Sequence, residues 1–160
     1  NHSYIIKSIQ KFKSRKLKNI GCIFTGYDKG YLDYLRNLAI KEKVQDKIIF
    51  FNYLTNNELV YLYKNSFCVL FPSLIGFDSL PMYESFFFKK IILYNQNSID
   101  KVFNKNIIPL DINNFYDLEK KILLLKSNKI FFDKFLLNNF QFYKQKFLQL
   151  EKSYYKLFII

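Results

Sequence analysis

Apolar residues along this chain switch between two spacings, one helical and one continuous. Over 3–17, Ile5, Ile9 and Phe12 recur at helical intervals while Lys7, Lys11, Arg15 and Lys18 line another face, which predicts a helix. A short apolar run at 20–24 stops at Thr25 and Gly26 and reads as a buried strand entering a turn. Helical spacing returns over 30–42 through Tyr31, Tyr34, Leu35 and Leu38, and 47–51 is a second strand. A short helix is expected at 56–64, with Thr55 as N-cap and Glu58, three residues on, as its capping-box partner. The third strand, 67–71, is stopped by Pro72 and Ser73. A loop at 74–78 then leads to a helix over 80–88, with Ser79 as N-cap and Pro81 in the first turn. Residues 91–94 and 107–110 are the fourth and fifth strands. Beyond Asn114 the pattern is helical over 115–126, 129–137 and 141–157, with breaks at Ser127-Asn128 and Asn138-Asn139.

Strands alternating with helices of this length predict βαβ units, hence an α/β fold: a Rossmann-like, mostly parallel sheet with helices on both faces, plus C-terminal helices. The strand runs are continuously apolar, as strands buried on both faces require. Ligands of such sheets bind beyond the carboxyl ends of the strands. That rule selects three loops, 25–30, 52–55 and 72–79. The last holds Gly76, one of only four glycines, followed by Asp78 and Ser79 at a helix start.

Composition narrows the class. At 160 residues the chain is expected to be one domain with a real core, and half of it is apolar. No apolar stretch approaches the ~18 residues that a membrane-spanning helix needs. The start lacks the order of a signal peptide, and the missing initiator Met reads as an excised fragment. Cys22 and Cys68 each sit in an apolar run, which fits free thiols in a reducing cytoplasm better than a disulfide framework. The net charge of +12 is concentrated at the ends. Residues 1–20 carry six basic and no acidic residues, 21–118 carry ten of each, and 119–160 carry nine basic and three acidic. Only Arg15 and Arg36 are arginine, whereas nucleic-acid readers lean on Arg's bidentate fork, so nucleic acid is not the expected partner. Solvated lysine and peripheral contact with an anionic membrane, at its cytoplasmic face, are the two other readings of this charge.

Several chemistries fall away. The chain has no Gly-rich dinucleotide fingerprint and no Walker loop. A single histidine, His2, argues against His-based catalysis or a His-ligated metal, and no cofactor or metal is expected. Carboxylates, hydroxyls, backbone amides and a helix N-terminus remain.

Three blocks, in order, then carry a resemblance. They are Ile23-Phe24-Thr25-Gly26, the segment from Lys47 to Thr55, and Tyr63 through Glu84. Within the last, Leu70-Phe71-Pro72-Ser73-Leu74 is followed by Leu80-Pro81 and Glu84. Together they resemble the C-terminal, nucleotide-sugar-binding domain of family-four (group 1) retaining glycosyltransferases, which have two facing Rossmann-like domains in the GT-B arrangement. The resemblance implies a hexose-type donor activated as a nucleotide diphosphate, and a glycan or lipid-linked acceptor bound by an N-terminal domain. It also implies a first sheet strand ahead of residue 1, with an Arg and a Lys that clamp the diphosphate, and a role in polysaccharide synthesis. The family's signature has two glutamates with seven residues between them. Glu84 fits the second, and the first falls on Gly76. Gly76-Phe77-Asp78-Ser79 resembles a variant of that signature, in which Asp78 supplies a carboxylate from a neighbouring position. The middle block has Asn52 where the family usually has Gly.

Carried over residue by residue, the resemblance makes Asp78 and Glu84 the catalytic candidates. The donor-binding set becomes Gly26, Asn52, Tyr53, Leu54, Ser73, Gly76, Phe77, Asp78, Ser79, Leu80 and Glu84. Elementary chemistry agrees in part. A helix N-terminus favours a diphosphate, Gly76 allows close backbone approach, and Glu84 can accept from ribose hydroxyls while Tyr53 stacks on the base. Plainer roles exist for each: a dipole-stabilising acid for Glu84, turn residues for Gly26, Asn52 and Gly76, a solvated acid for Asp78, and core for Tyr53 and the run Phe86–Phe88.

Overall fold

Every paired strand runs parallel to its neighbour in the computed structural model, which describes residues 1–75, 80–98 and 103–157. The strands are β1 (Cys22–Thr25), β2 (Ile48–Phe51), β3 (Val69–Phe71), β4 (Ile92–Asn95) and β5 (Ile108–Leu110). The helices are α1 (His2–Gln10), α2 (Leu32–Lys41), α3 (Asn56–Asn65), α4 (Leu80–Phe87), α5 (Asp117–Ser127) and α6 (Lys129–Leu157). The α/β class with parallel strands and flanking helices is the one the sequence predicts. Among the described residues the strands form two ladders: β1 pairs with β2, and β3, β4 and β5 pair in that order.

The core follows the period-two alternation of β4, whose four residues are all buried. Leu93, with Ile91 just before the strand, enters a core that also holds Tyr4, Ile5, Ile6 and Ile9 of α1, Leu35 and Leu38 of α2, and Leu118 and Ile122 of α5. Ile92 and Tyr94 enter a second core with Met82 and Phe86 of α4, Phe103 and Ile107. Helix α1 lies against α2 and α5, and α4 lies against α6. Strands β1 and β2 are covered on one face only. Phe24 and Ile48 are buried, whereas Ile23 and Ile49 are 41% and 52% exposed, against the expectation of burial on both faces.

Two helix boundaries also differ from expectation. The first helix stops at Gln10 instead of running to 17, and a 3-10 turn (Arg15–Leu17) follows. The chain is drawn off the helix axis there because the backbone N–H groups of Lys13 and Ser14 both donate to Glu119 Oε1 of α5, at 2.8 and 2.7 Å. Leu17 is then free to sit fully buried in the first core.

The second difference is the break expected at Asn138-Asn139, which does not form: α6 runs through it. Phe132, Phe135 and Leu136 pack on the first core, and Phe142 and Tyr143 on the second, so one uninterrupted helix spans both. Asn139 sits between the two groups, 1% exposed, facing inward rather than capping an end. Its side chain accepts from Asn106 Nδ2 at 2.8 Å and donates to Asn106 O at 2.7 Å.

That pair generates a stability test. Replacing Asn139 with Ala strands the Asn106 groups, and is expected to cost about 1–3 kcal/mol in chemical denaturation. A loss below about 0.5 kcal/mol, the scale of an ordinary surface change, would mean that the pair does not hold α6 in place.

Candidate functional site

The carboxyl ends of β1 and β2 lie side by side, because Thr25 pairs with Phe51 in the ladder. The loops that follow are joined directly. Gly26 turns the chain at φ +133°, a conformation that favours glycine, and its N–H donates to Phe51 O at 3.2 Å. Asn52 Oδ1 accepts from the backbone N–H of Asp28 at 2.9 Å, so Asn52 braces one loop against the other. The rings of Tyr27 and Tyr53 meet 5.7 Å apart above this brace. Tyr53 is 64% exposed, which removes the core reading of that residue. Leu54 is half-buried, and the capping box of Thr55 and Glu58 opens α3 behind it as expected.

Asp28 is a residue that sequence reasoning passed over. Its carboxylate accepts from the backbone N–H groups of Gly30, Tyr31 and Leu32, at 2.8, 2.9 and 3.1 Å, and so caps α2. The bonds from Tyr31 and Leu32 are the main reason its carboxyl is held below the usual aspartate range. The signal was present as an Asp just ahead of a helical run, two positions before a Gly.

The third loop leaves β3 through Pro72 and Ser73. Ser73 Oγ donates to Ile75 O at 2.6 Å, closing a local turn. Ser73 O is gripped from the end of the neighbouring strand: Asn95 Nδ2 donates to it at 2.8 Å and Ser98 Oγ at 3.0 Å. Asn95 and Ser98 are each 1% exposed. Nothing local in the sequence marks either one, since each acts across the β3–β4 pairing. Gly76, Phe77, Asp78 and Ser79, including the expected N-cap, lie outside the described residues.

Helix α4 opens with Leu80, which is largely exposed, and carries Glu84 on its second turn. Glu84 is half-buried, and its Oε2 accepts a hydrogen bond from the phenol of Tyr63 on α3 at 2.6 Å. Burial, and then that bond and the carboxylate charge, push the Tyr63 phenol well above its ordinary pKa. Of the Phe86–Phe88 run only Phe86 is fully buried. Phe87 is half exposed, and Phe88 stacks on Tyr63 with ring centroids 5.1 Å apart.

The structure thus joins the first two loops and ties the third to β4, with Glu84 held at the start of α4. Among the described residues no group of three or more His, Cys, Asp or Glu is placed to hold a metal ion. Cys22 and Cys68 are free, and burial pushes both thiols up to about 12. No helix among the described residues is long and apolar enough to cross a membrane.

The cap on α2 gives a pH test. A carboxyl whose folded pKa is depressed adds stability above its unfolded pKa and loses it as the pH falls through the folded value. The melting-temperature gap between wild type and Asp28→Asn is therefore expected to stay constant from about pH 7 to about 5 and to shrink below about pH 4. A gap unchanged down to about pH 2 would show that the charge on Asp28 contributes nothing.

Comparison with known proteins bears on the whole arrangement. Residues 1–138 match the family described as glycosyl transferases group 1. No curated protein matches the chain. The match covers all five strands, the three loops and α4 with Glu84. This chain belongs to the group 1 glycosyl transferases, and the activity of its family is glycosyl transfer.

Proposed function

We propose that this domain binds the nucleotide-diphospho-sugar donor of a two-domain enzyme, which transfers a hexose-type sugar to a glycan or lipid-linked acceptor held by an N-terminal domain. The observation that carries this reading is Glu84. It is a half-buried carboxylate beyond the carboxyl end of β3, with one oxygen anchored by Tyr63 and the other left to accept from a ribose hydroxyl. The base lies against 52–54, where the exposed Tyr53 supplies a ring face. The diphosphate sits at the N-terminus of α4, where the helix dipole favours negative charge. Gly76, Phe77, Ser79 and Leu80 line the donor there, and Asp78 supplies the carboxylate that Gly76 lacks.

Transfer proceeds with retention, the leaving diphosphate being stabilised by fixed dipoles and cations without a metal. A further strand ahead of α1, lying between β1 and β3, joins the two ladders into one sheet; among the described residues β1 pairs with β2 alone and β3 with β4 alone, which supports it. The Lys-rich ends rest on an anionic membrane at its cytoplasmic face, where a lipid-linked acceptor is found. Gly76, at the position of the family's first glutamate, favours a second reading: a donor-binding module without activity.

Two experiments test the proposal in the full-length protein. Glu84→Gln is expected to cost about 1.5–3 kcal/mol of nucleoside diphosphate binding, roughly 10- to 150-fold, the worth of a hydrogen bond to a charged group. Its cost to folding should be only about 0.5–1.5 kcal/mol, because the Gln carbonyl still accepts from Tyr63 and only the charge-assisted part of that bond is lost. A lowered melting temperature with unchanged nucleotide affinity would make Glu84 purely structural. Separately, transfer activity should survive excess chelator, and a strict need for a divalent cation would refute the metal-free mechanism.

A further inference from the structure

The contacts between α3 and α4 assign a task to a residue outside every candidate loop. Tyr63 sits near the end of α3, 8% exposed, with its ring stacked on Phe88 at an interplanar angle of 12°. Its phenol donates to Glu84 Oε2 at 2.6 Å, a short bond of the charge-assisted kind. The two helices are clamped at the same place by Lys90, whose ammonium donates to Lys64 O at 2.8 Å and Ser66 O at 2.9 Å, the free carbonyls at the end of α3. Two fixed points thus set where the Tyr63 hydroxyl lies before any ligand arrives.

A glutamate side chain has three rotatable bonds, and a half-buried one without a partner samples several rotamers. A carboxylate has about four acceptor positions over its two oxygens. A bond from a rigid phenol to Oε2 selects one rotamer and leaves Oε1 for a second donor. A Phe in place of Tyr63 would fill the same space and stack on Phe88 equally well, so the hydroxyl is not needed for packing. Burial, and then the bond to the Glu84 carboxylate, raise the cost of ionising the phenol, which keeps Tyr63 a donor.

We infer that Tyr63 is a positioning residue: its hydroxyl locks the Glu84 carboxylate in the orientation that accepts the hydroxyls of the donor's ribose. The inference rests on the Glu84 reading above, and the experiment separates the two. Ribo and dideoxy forms of uridine, guanosine and adenosine diphosphate are titrated against the full-length protein, and the ratio of the two affinities is compared among variants. Wild type should prefer the ribo form of the diphosphate that binds best, and Glu84→Gln should lose most of that preference. Tyr63→Phe should lower the preference about 3- to 10-fold, the scale of one hydrogen bond, while binding the dideoxy form as wild type does. In the Glu84→Gln background, Tyr63→Phe should change the ratio no further.

A Tyr63→Phe protein that keeps the full ribose preference, while Glu84→Gln loses it, overturns the role of Tyr63 alone. Equal weakening of both ligand forms by Tyr63→Phe makes the residue a packing element and also overturns it. If Glu84→Gln itself leaves the ribose preference intact, or no diphosphate binds, both readings fall together.

Discussion

Burial of β4 on both faces is the constraint from which the rest of the domain follows. Ile92 and Tyr94 fill one core and Leu93 the other, so the strand has no freedom to slip: a one-residue shift would exchange every side chain between the two cores. Its register with β3 is thereby set, and the register delivers Asn95 to the start of the third loop, where it holds the backbone of Ser73. A buried amide is costly unless it is bonded, and Asn95 meets that need by bonding the loop. The loop is in this sense anchored by the packing of β4.

Helix α6 extends the same logic across the molecule. Its first half seals the core of α1, α2 and α5, and its second half the core of α4. Asn139 sits at the crossing, where a side chain must face inward yet fit neither apolar cluster, and it bonds Asn106 instead. An asparagine pair in sequence ordinarily signals a helix end because Asn competes for backbone groups. Here a tertiary partner takes up that hydrogen-bonding capacity, and the helix continues.

Charge divides along the chain as packing does. The segment that carries the three loops, 21–118, is neutral, and two of its carboxylates are already engaged, Asp28 by three backbone amides and Glu84 by a phenol. The surplus of lysine lies at the two ends of the chain, in α1 with the turn behind it and in α5 and α6. Some of it covers aromatic faces: Lys13 approaches the ring of Tyr116 at 5.6 Å and Lys144 that of Phe140 at 4.9 Å. The positive charge and the three candidate loops are thus carried by different parts of the chain.

The sequence alone determined whatever depends on neighbours a few residues apart. The five strands, their alternation with helices, the capping box of Thr55 and Glu58, the turn at Gly26 and the α/β class were all legible, because periodicity, caps and turns are local physics. The family's motif blocks were legible for the same reason, as short strings ending in Glu84. Tertiary structure alone decided which groups meet across long separations: Tyr63 with Glu84, 21 residues apart, Ser73 with Asn95, 22 apart, and Asn106 with Asn139, 33 apart. It also decided that Asn138-Asn139 does not end a helix, that the first helix stops at Gln10, and that Ile23 and Ile49 remain open on one face. Each of these outcomes depends on which element packs against which, and no local window of residues contains that information.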